Sequence, residues 1–147
     1  MTLTSKVEAA LAAYLAGLTM PDGFTAEQIL MGENDTDKDG QIIICAASDT
    51  NEEIPPYTGN FMVPCAIELH TPAVDDGNGG TTLDLHQSVS EFLEVAFCND
   101  GLAAALTAAQ SDFTCMGFVD RKFLGGQEDG VYLSGVSLTL YCNGIAP

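Results

Sequence analysis

Apolar residues near the start of the chain recur at Val7, Leu11, Tyr14, Leu15 and Leu18, the i, i+4, i+7, i+8, i+11 stripe of an amphipathic helix. Ser5 with Glu8 three residues later makes a capping box, and Gly17 followed by Pro21 stops the helix near Leu18. Its other face is mostly alanine (Ala9, Ala12, Ala13, Ala16), small enough for a neighbouring subunit to approach closely. A second stripe, Leu85, Val89, Phe92, Leu93, Ala96 and Phe97, predicts a helix over 82–98 with Asp84, Glu91 and Glu94 toward solvent. Asn99-Asp100-Gly101 breaks it, and Asp100 is placed to cap an alanine-rich helix over Leu102 to Gln110.

Between and after these helices the apolar pattern changes to that of strands. Gln41 to Ala47, with three consecutive isoleucines, reads as a strand in a sheet interior. Phe61 to Thr71 reads as a second, with Pro64 marking an edge or a bulge. Phe113 to Leu124 and Val131 to Cys142 follow, joined by a loop over 125–130. In the last strand Val136, Leu138, Leu140 and Cys142 alternate with Ser137, Thr139 and Tyr141, as in a sheet with one face on a helical layer. Thr25 and Gln28 predict one helical turn in an otherwise irregular, acidic stretch, and 51–60 and 72–80 are loops. The element order predicts an α+β fold, a four-stranded largely antiparallel sheet with helices packed on one face. The chain reads as one domain over 1–147 with an acidic, loop-rich segment at 19–60, without repeats or linkers.

Charge narrows the partners. Four cations (Lys6, Lys38, Arg121, Lys122) face 21 acids, a formal net charge of −17, and nine of the acids lie between Asp22 and Glu53. Gripping a nucleic-acid duplex or an anionic membrane needs clustered Lys and Arg, which this chain lacks. Hydrophobic residues at 46% are nonetheless those of a folded protein. No apolar run approaches ~20 residues, and no basic segment followed by an apolar one opens the chain, so a soluble, unexported protein is expected. Five cysteines (45, 65, 98, 115, 142) form no C-x-x-C pair and lie in apolar segments, the pattern of reduced core thiols.

One motif carries chemistry. Asp35-Thr36-Asp37-Lys38-Asp39-Gly40-Gln41-Ile42 matches the first eight positions of an EF-hand calcium loop, with Asp35, Asp37 and Asp39 as oxygen ligands and Gly40 at the sharp turn. The closing carboxylate is missing, since its position holds Ala46. The stretch therefore reads first as a solvated acidic turn, with a weak, open Ca2+ site as the alternative. His70 and His86 lack the spacing of a helical metal pair and are read as surface histidines. There is no phosphate-binding, dinucleotide-binding or nucleophile-elbow motif, and no enzyme activity is expected.

The N-terminal helix with Val7, Leu11, Tyr14 and Leu15, the Ile54-Pro55-Pro56-Tyr57 loop between two strands, the helix bearing Leu85, Val89, Phe92 and Leu93, and the closing hairpin ending Leu138-Thr139-Leu140-Tyr141-Cys142 together resemble the tail-terminator and tail-completion proteins of tailed bacteriophages. The acidic 22–53 segment departs from that pattern. The resemblance implies a non-catalytic virion protein, assembled in the host bacterial cytoplasm. Such proteins form rings, usually hexamers, at the neck or tail end, where they contact adjacent neck or tail-tube proteins and DNA passes through as cargo. Six copies of a −17 chain would carry about −100, which discourages DNA from sticking to a lumen but opposes assembly. Subunit contacts should then be apolar or bring Arg121 and Lys122 against acidic loops such as 35–39 of the next copy, with Tyr14 and Tyr57 as further interface candidates. The alternatives are a small acidic divalent-cation-binding interaction module, or another virion component such as a tube or decoration protein.

Overall fold

The computed structural model describes residues 3–31, 41–46, 52–53, 60–73, 83–110, 113–128 and 130–143, the side chains of 41–46, 52–53, 60, 127 and 128 excepted. Helix α1 (Leu3–Ala16) buries Val7, Leu11, Tyr14 and Leu15 of the stripe that the periodicity marks, together with Lys6 and Ala10, while Leu18 lies beyond its end and is half-buried. It ends in a tight turn in which the Gly17 N–H donates to Ala13 O at 3.0 Å and the Leu18 N–H to Leu15 O at 3.1 Å. A single 3-10 turn over Ala26–Gln28 follows, held by the Thr25 N–H donating to Gln28 Oε1 at 2.9 Å.

The strands are β1 (Ile29–Met31), β2 (Gln41–Ala46), β3 (Glu52–Glu53), β4 (Asn60–Pro72), β5 (Thr114–Glu128) and β6 (Val131–Asn143). Between β4 and β5 run α2 (Leu83–Phe97) and α3 (Leu102–Ala109). The sheet order is β1-β2-β4-β6-β5 with β3 beside β4, and every pairing is antiparallel except β1 with β2. The fold is thus α+β with a largely antiparallel sheet. The four long strands are those expected, but the sheet has six, because β1 and β3 add short pairings too brief to leave a sequence pattern.

Register defines two faces. Val63, Cys65 and Ile67 of β4 stand opposite Leu140, Leu138 and Val136 of β6, all buried, and they join one cluster with Leu11 and Leu15 of α1, Leu93 and Phe97 of α2, and Leu102 and Leu106 of α3. Each of these large side chains contributes about 1.5–3 kcal/mol by leaving water. The alternate residues, among them Met62, Ala66, Glu68 and His70, stay partly or fully exposed on the other face.

Three local expectations change. Pro64 sits in a central strand, but where β4 has no outer partner among the described residues: pairing with β2 stops at Cys65 and pairing with β3 begins at Met62, so the missing N–H disturbs little. Gly125, Gly126 and Gln127, expected in a loop, continue β5 opposite Ser134, Leu133 and Tyr132, since ladder bonding to β6 needs only backbone. Asp100 does not cap α3; Gly101 stands at the N-cap with no side chain to offer, and Asn99 closes the turn before it, its Oδ1 accepting from the Gly101 N–H at 2.9 Å while its carbonyl accepts from the Leu102 N–H at 3.2 Å.

Candidate interaction surface

The last carbonyls of a helix point out of it without partners and must find them elsewhere. At the end of α2 the Cys98 N–H takes Glu94 O at 3.0 Å. Ala96 O accepts from the Tyr14 hydroxyl of α1, whose ring also meets Phe97 edge-on with centroids 6.1 Å apart. Phe97 O accepts from Arg121 Nη1 of β5 at 2.8 Å. A bulge between Val119 and Lys122, with Asp120 at φ 57°, turns Arg121 onto the helical face, where its guanidinium lies 5.4 Å from the Phe118 ring and 5.8 Å from the Phe123 ring.

Two of the four interface candidates are therefore engaged inside the subunit. Tyr14 is only 8% exposed and belongs to the core, a correction that follows from its place on the α1 stripe. Arg121 holds the negative end of α2, where a cation is favoured by the helix dipole. Lys6 is also withdrawn: it is 3% exposed on α1, and its Nζ has no hydrogen-bond partner among the described residues. Tyr57, Lys38 and the candidate ligands Asp35, Asp37 and Asp39 lie outside the described residues. Among the described residues no group of three His, Cys, Asp or Glu side chains is placed to hold a metal ion.

Lys122 remains at the surface, beside Phe123 at 39% and Leu124 at 57% exposure. These residues occupy the outermost strand, which α3 covers only at its start, where the Thr107 hydroxyl bridges the Cys115 N–H (2.9 Å) and C=O (3.3 Å). Further along β5 the outer row of backbone N–H and C=O groups has no strand beside it among the described residues. Next to it, on the face away from the helices, a shallow concavity of ≈ 490 Å³ is lined by Glu68, His70, Leu124, Gly126, Leu133 and Gly135. His70 Nε2 lies 3.1 Å from Glu68 Oε2 at its rim. The glycines leave its floor as bare main chain, so it has room for side chains of another molecule but few directed polar groups.

A second polar cluster was not foreseen. His86, expected at the surface, is buried at 5% on α2, with Nδ1 2.8 Å from Thr71 Oγ1 and Nε2 2.7 Å from Ser134 Oγ. Its position three residues before Val89 and seven before Leu93 places it on the apolar stripe, which was the available signal. Burial lowers its pKa from the ordinary value, partly offset by a hydrogen bond to the Leu133 backbone. The serine–histidine contact resembles a nucleophile and base, yet the third group is a neutral threonine hydroxyl, which cannot stabilise the imidazolium that base catalysis would create. With both ring nitrogens taken by hydroxyls of β4 and β6, the imidazole pins α2 to the sheet. No protein-family model matches the chain, and no curated protein sequence matches it.

Proposed function

We propose that the protein is a non-catalytic structural subunit that assembles with copies of itself into a closed ring at the neck or tail end of a tailed bacteriophage, built in the host cytoplasm and carried in the virion. The observation that supports this best is the outer edge of β5. It combines strand backbone with no strand beside it among the described residues, the exposed apolar side chains Phe123 and Leu124, and the cation Lys122, in a chain of net charge −17. An uncovered strand edge is a template for pairing with another chain, and proteins that remain monomeric usually blunt it. A cation on that edge would meet acidic surface on nearly any part of a second copy, which answers the repulsion that a ring of acidic subunits must overcome.

The described residues offer no competing catalytic arrangement with a charged, oriented base. The overall element order, which resembles the tail-terminator and tail-completion proteins, supplies the ring and its place in the particle. In that role the acidic 22–53 segment would line the lumen or meet the next virion component, with DNA passing and not gripped.

The test is substitution at the edge. Lys122→Glu and Leu124→Asp change exposed side chains, so far-ultraviolet circular dichroism should stay unchanged while the assembled fraction in sedimentation velocity falls at least several-fold. Unchanged assembly in both variants would remove β5 as the contact.

A further inference from the structure

Cys115 and Cys142 stand directly opposite each other where β5 pairs with β6, both on the helix-covered face and both buried. Antiparallel pairs alternate between two kinds, and side chains approach most closely in the kind whose backbone groups point away from the partner strand. The Cys115 pair is of this close kind. Its N–H donates to Thr107 Oγ1 at 2.9 Å and its C=O accepts from the same hydroxyl at 3.3 Å, so both groups point outward to α3 and not inward to Cys142. Such pairs hold their Cα atoms about 4.5 Å apart, within the window of roughly 4.4–6.8 Å that a disulfide spans. The two thiols face each other closely enough for each to shift the other's ionisation.

The other cysteines are excluded from this pairing. Cys65 lies four positions along β4 from Phe61, the residue opposite Cys142, a separation of roughly 13 Å at ~3.3 Å per residue. Cys45 is paired with Ala66, two strands from β6. Cys98 is exposed beyond the end of α2.

We propose that Cys115 and Cys142 are a modification site, a reversible cross-strand disulfide that locks the β5 edge onto β6 when a low-molecular-weight disulfide such as oxidised glutathione is present. The Cys115 thiolate attacks one sulfur of the small disulfide, forming a mixed disulfide and releasing one thiolate. Cys142, deprotonated as the local edge opens, then attacks the Cys115 sulfur, forming the internal bond and releasing the second thiolate. Two protein thiols are oxidised and one small disulfide is reduced to two thiols, which take up the two protons. The order of attack follows from position: Cys115 lies on the outermost strand and keeps 5% exposure while Cys142 is fully enclosed, and in the same sense the facing Cys142 thiol draws Cys115 below its ordinary pKa while the pairing and burial push Cys142 up. Access requires only local opening near the start of an edge strand, the least protected class of opening in a sheet. In a reducing cytosol the pair stays as thiols, and it closes on transfer to an oxidising medium.

The full chain is incubated with oxidised glutathione, quenched with acid, and mapped by peptide mass spectrometry. The expected product is a Cys115–Cys142 linked peptide pair and a protein two hydrogens lighter at these positions, with a melting temperature higher by on the order of 10 °C for a closed loop of about 27 residues. Dithiothreitol should return both readings to their starting values. In Cys142→Ser the expected product is a single glutathione adduct on Cys115 among the core thiols. A linkage that uses Cys65, persistent thiols at both positions, or a bond that forms while the melting temperature falls would overturn the proposal. An adduct on Cys65 rather than Cys115 in Cys142→Ser would do the same. None of these readings depends on whether the protein forms rings.

Discussion

Tyr14→Phe isolates one group in the account of how α2 ends. The substitution keeps the ring, its place in the core and its edge-on contact with Phe97, and removes only the hydroxyl that donates to Ala96 O. Ala96 is 4% exposed, so its carbonyl cannot turn to bulk water. A hydrogen bond of this kind contributes about 1 kcal/mol net, and a stranded buried acceptor adds desolvation cost, for a total of roughly 1.5–2.5 kcal/mol. The weaker 3.4 Å contact from Asn99 Nδ2 to the hydroxyl is lost as well. Urea unfolding followed by circular dichroism should show a lower midpoint with an unchanged slope, and a thermal scan should show a fall of roughly 4–8 °C. If Tyr14 instead served a subunit contact, dilute protein would unfold as before and only assembly would change. A destabilisation below about 0.5 kcal/mol in dilute protein would refute the reasoning, because it would mean that water already reaches Ala96 O.

Arg121→Ala and Lys122→Ala should separate neighbours that look alike in the sequence: Arg121 loses a hydrogen bond to the α2 end and two ring contacts, about 1–2 kcal/mol after allowance for solvent screening, whereas Lys122→Ala should change urea stability by under about 0.5 kcal/mol. Equal effects in the two would contradict the capping role. His86 binds its proton less readily in the folded chain than in the unfolded one, so its contribution is complete above about pH 6.5 and declines as pH falls through that value toward the lowered folded pKa. The stability difference between wild type and His86→Gln should accordingly shrink between about pH 7.5 and 5.5, and parallel profiles would show that His86 is not held neutral. Gly135→Ala places a Cβ 2.5 Å from Ile67 O, a main-chain atom that cannot move aside, and should cost about 1–3 kcal/mol in chemical denaturation; a neutral effect would show that β4 and β6 separate freely there.

The long elements were legible because each carries a full period of its own pattern. Thus α1, α2 and the alternation of β6 appear where the stripe and the two-residue repeat place them. The remainder was hidden for specific reasons. Residues 125–127 carry turn chemistry, but pairing with β6 overrides local preference, and Gly130 at φ +77° supplies the actual reversal. Tyr14 and Arg121 attract attention as surface chemistry when read alone. Their use at the end of α2 requires contacts 82 and 24 residues distant, which no local pattern encodes. The pairing of Cys115 with Cys142 needs the strand register, and sequence spacing gives no hint of it. Lys122 was legible as a rare cation; that it stands on the outermost of the described strands beside Leu124 was not.

The central claim is that the chain closes on itself into a ring, and native mass spectrometry joined to negative-stain imaging of the purified protein tests it most directly. The account predicts one discrete closed oligomer, six copies by the resemblance, seen end-on as a ring with a central hole. A monomer that persists at concentrations of tens of micromolar, or open filaments of variable length, would contradict it.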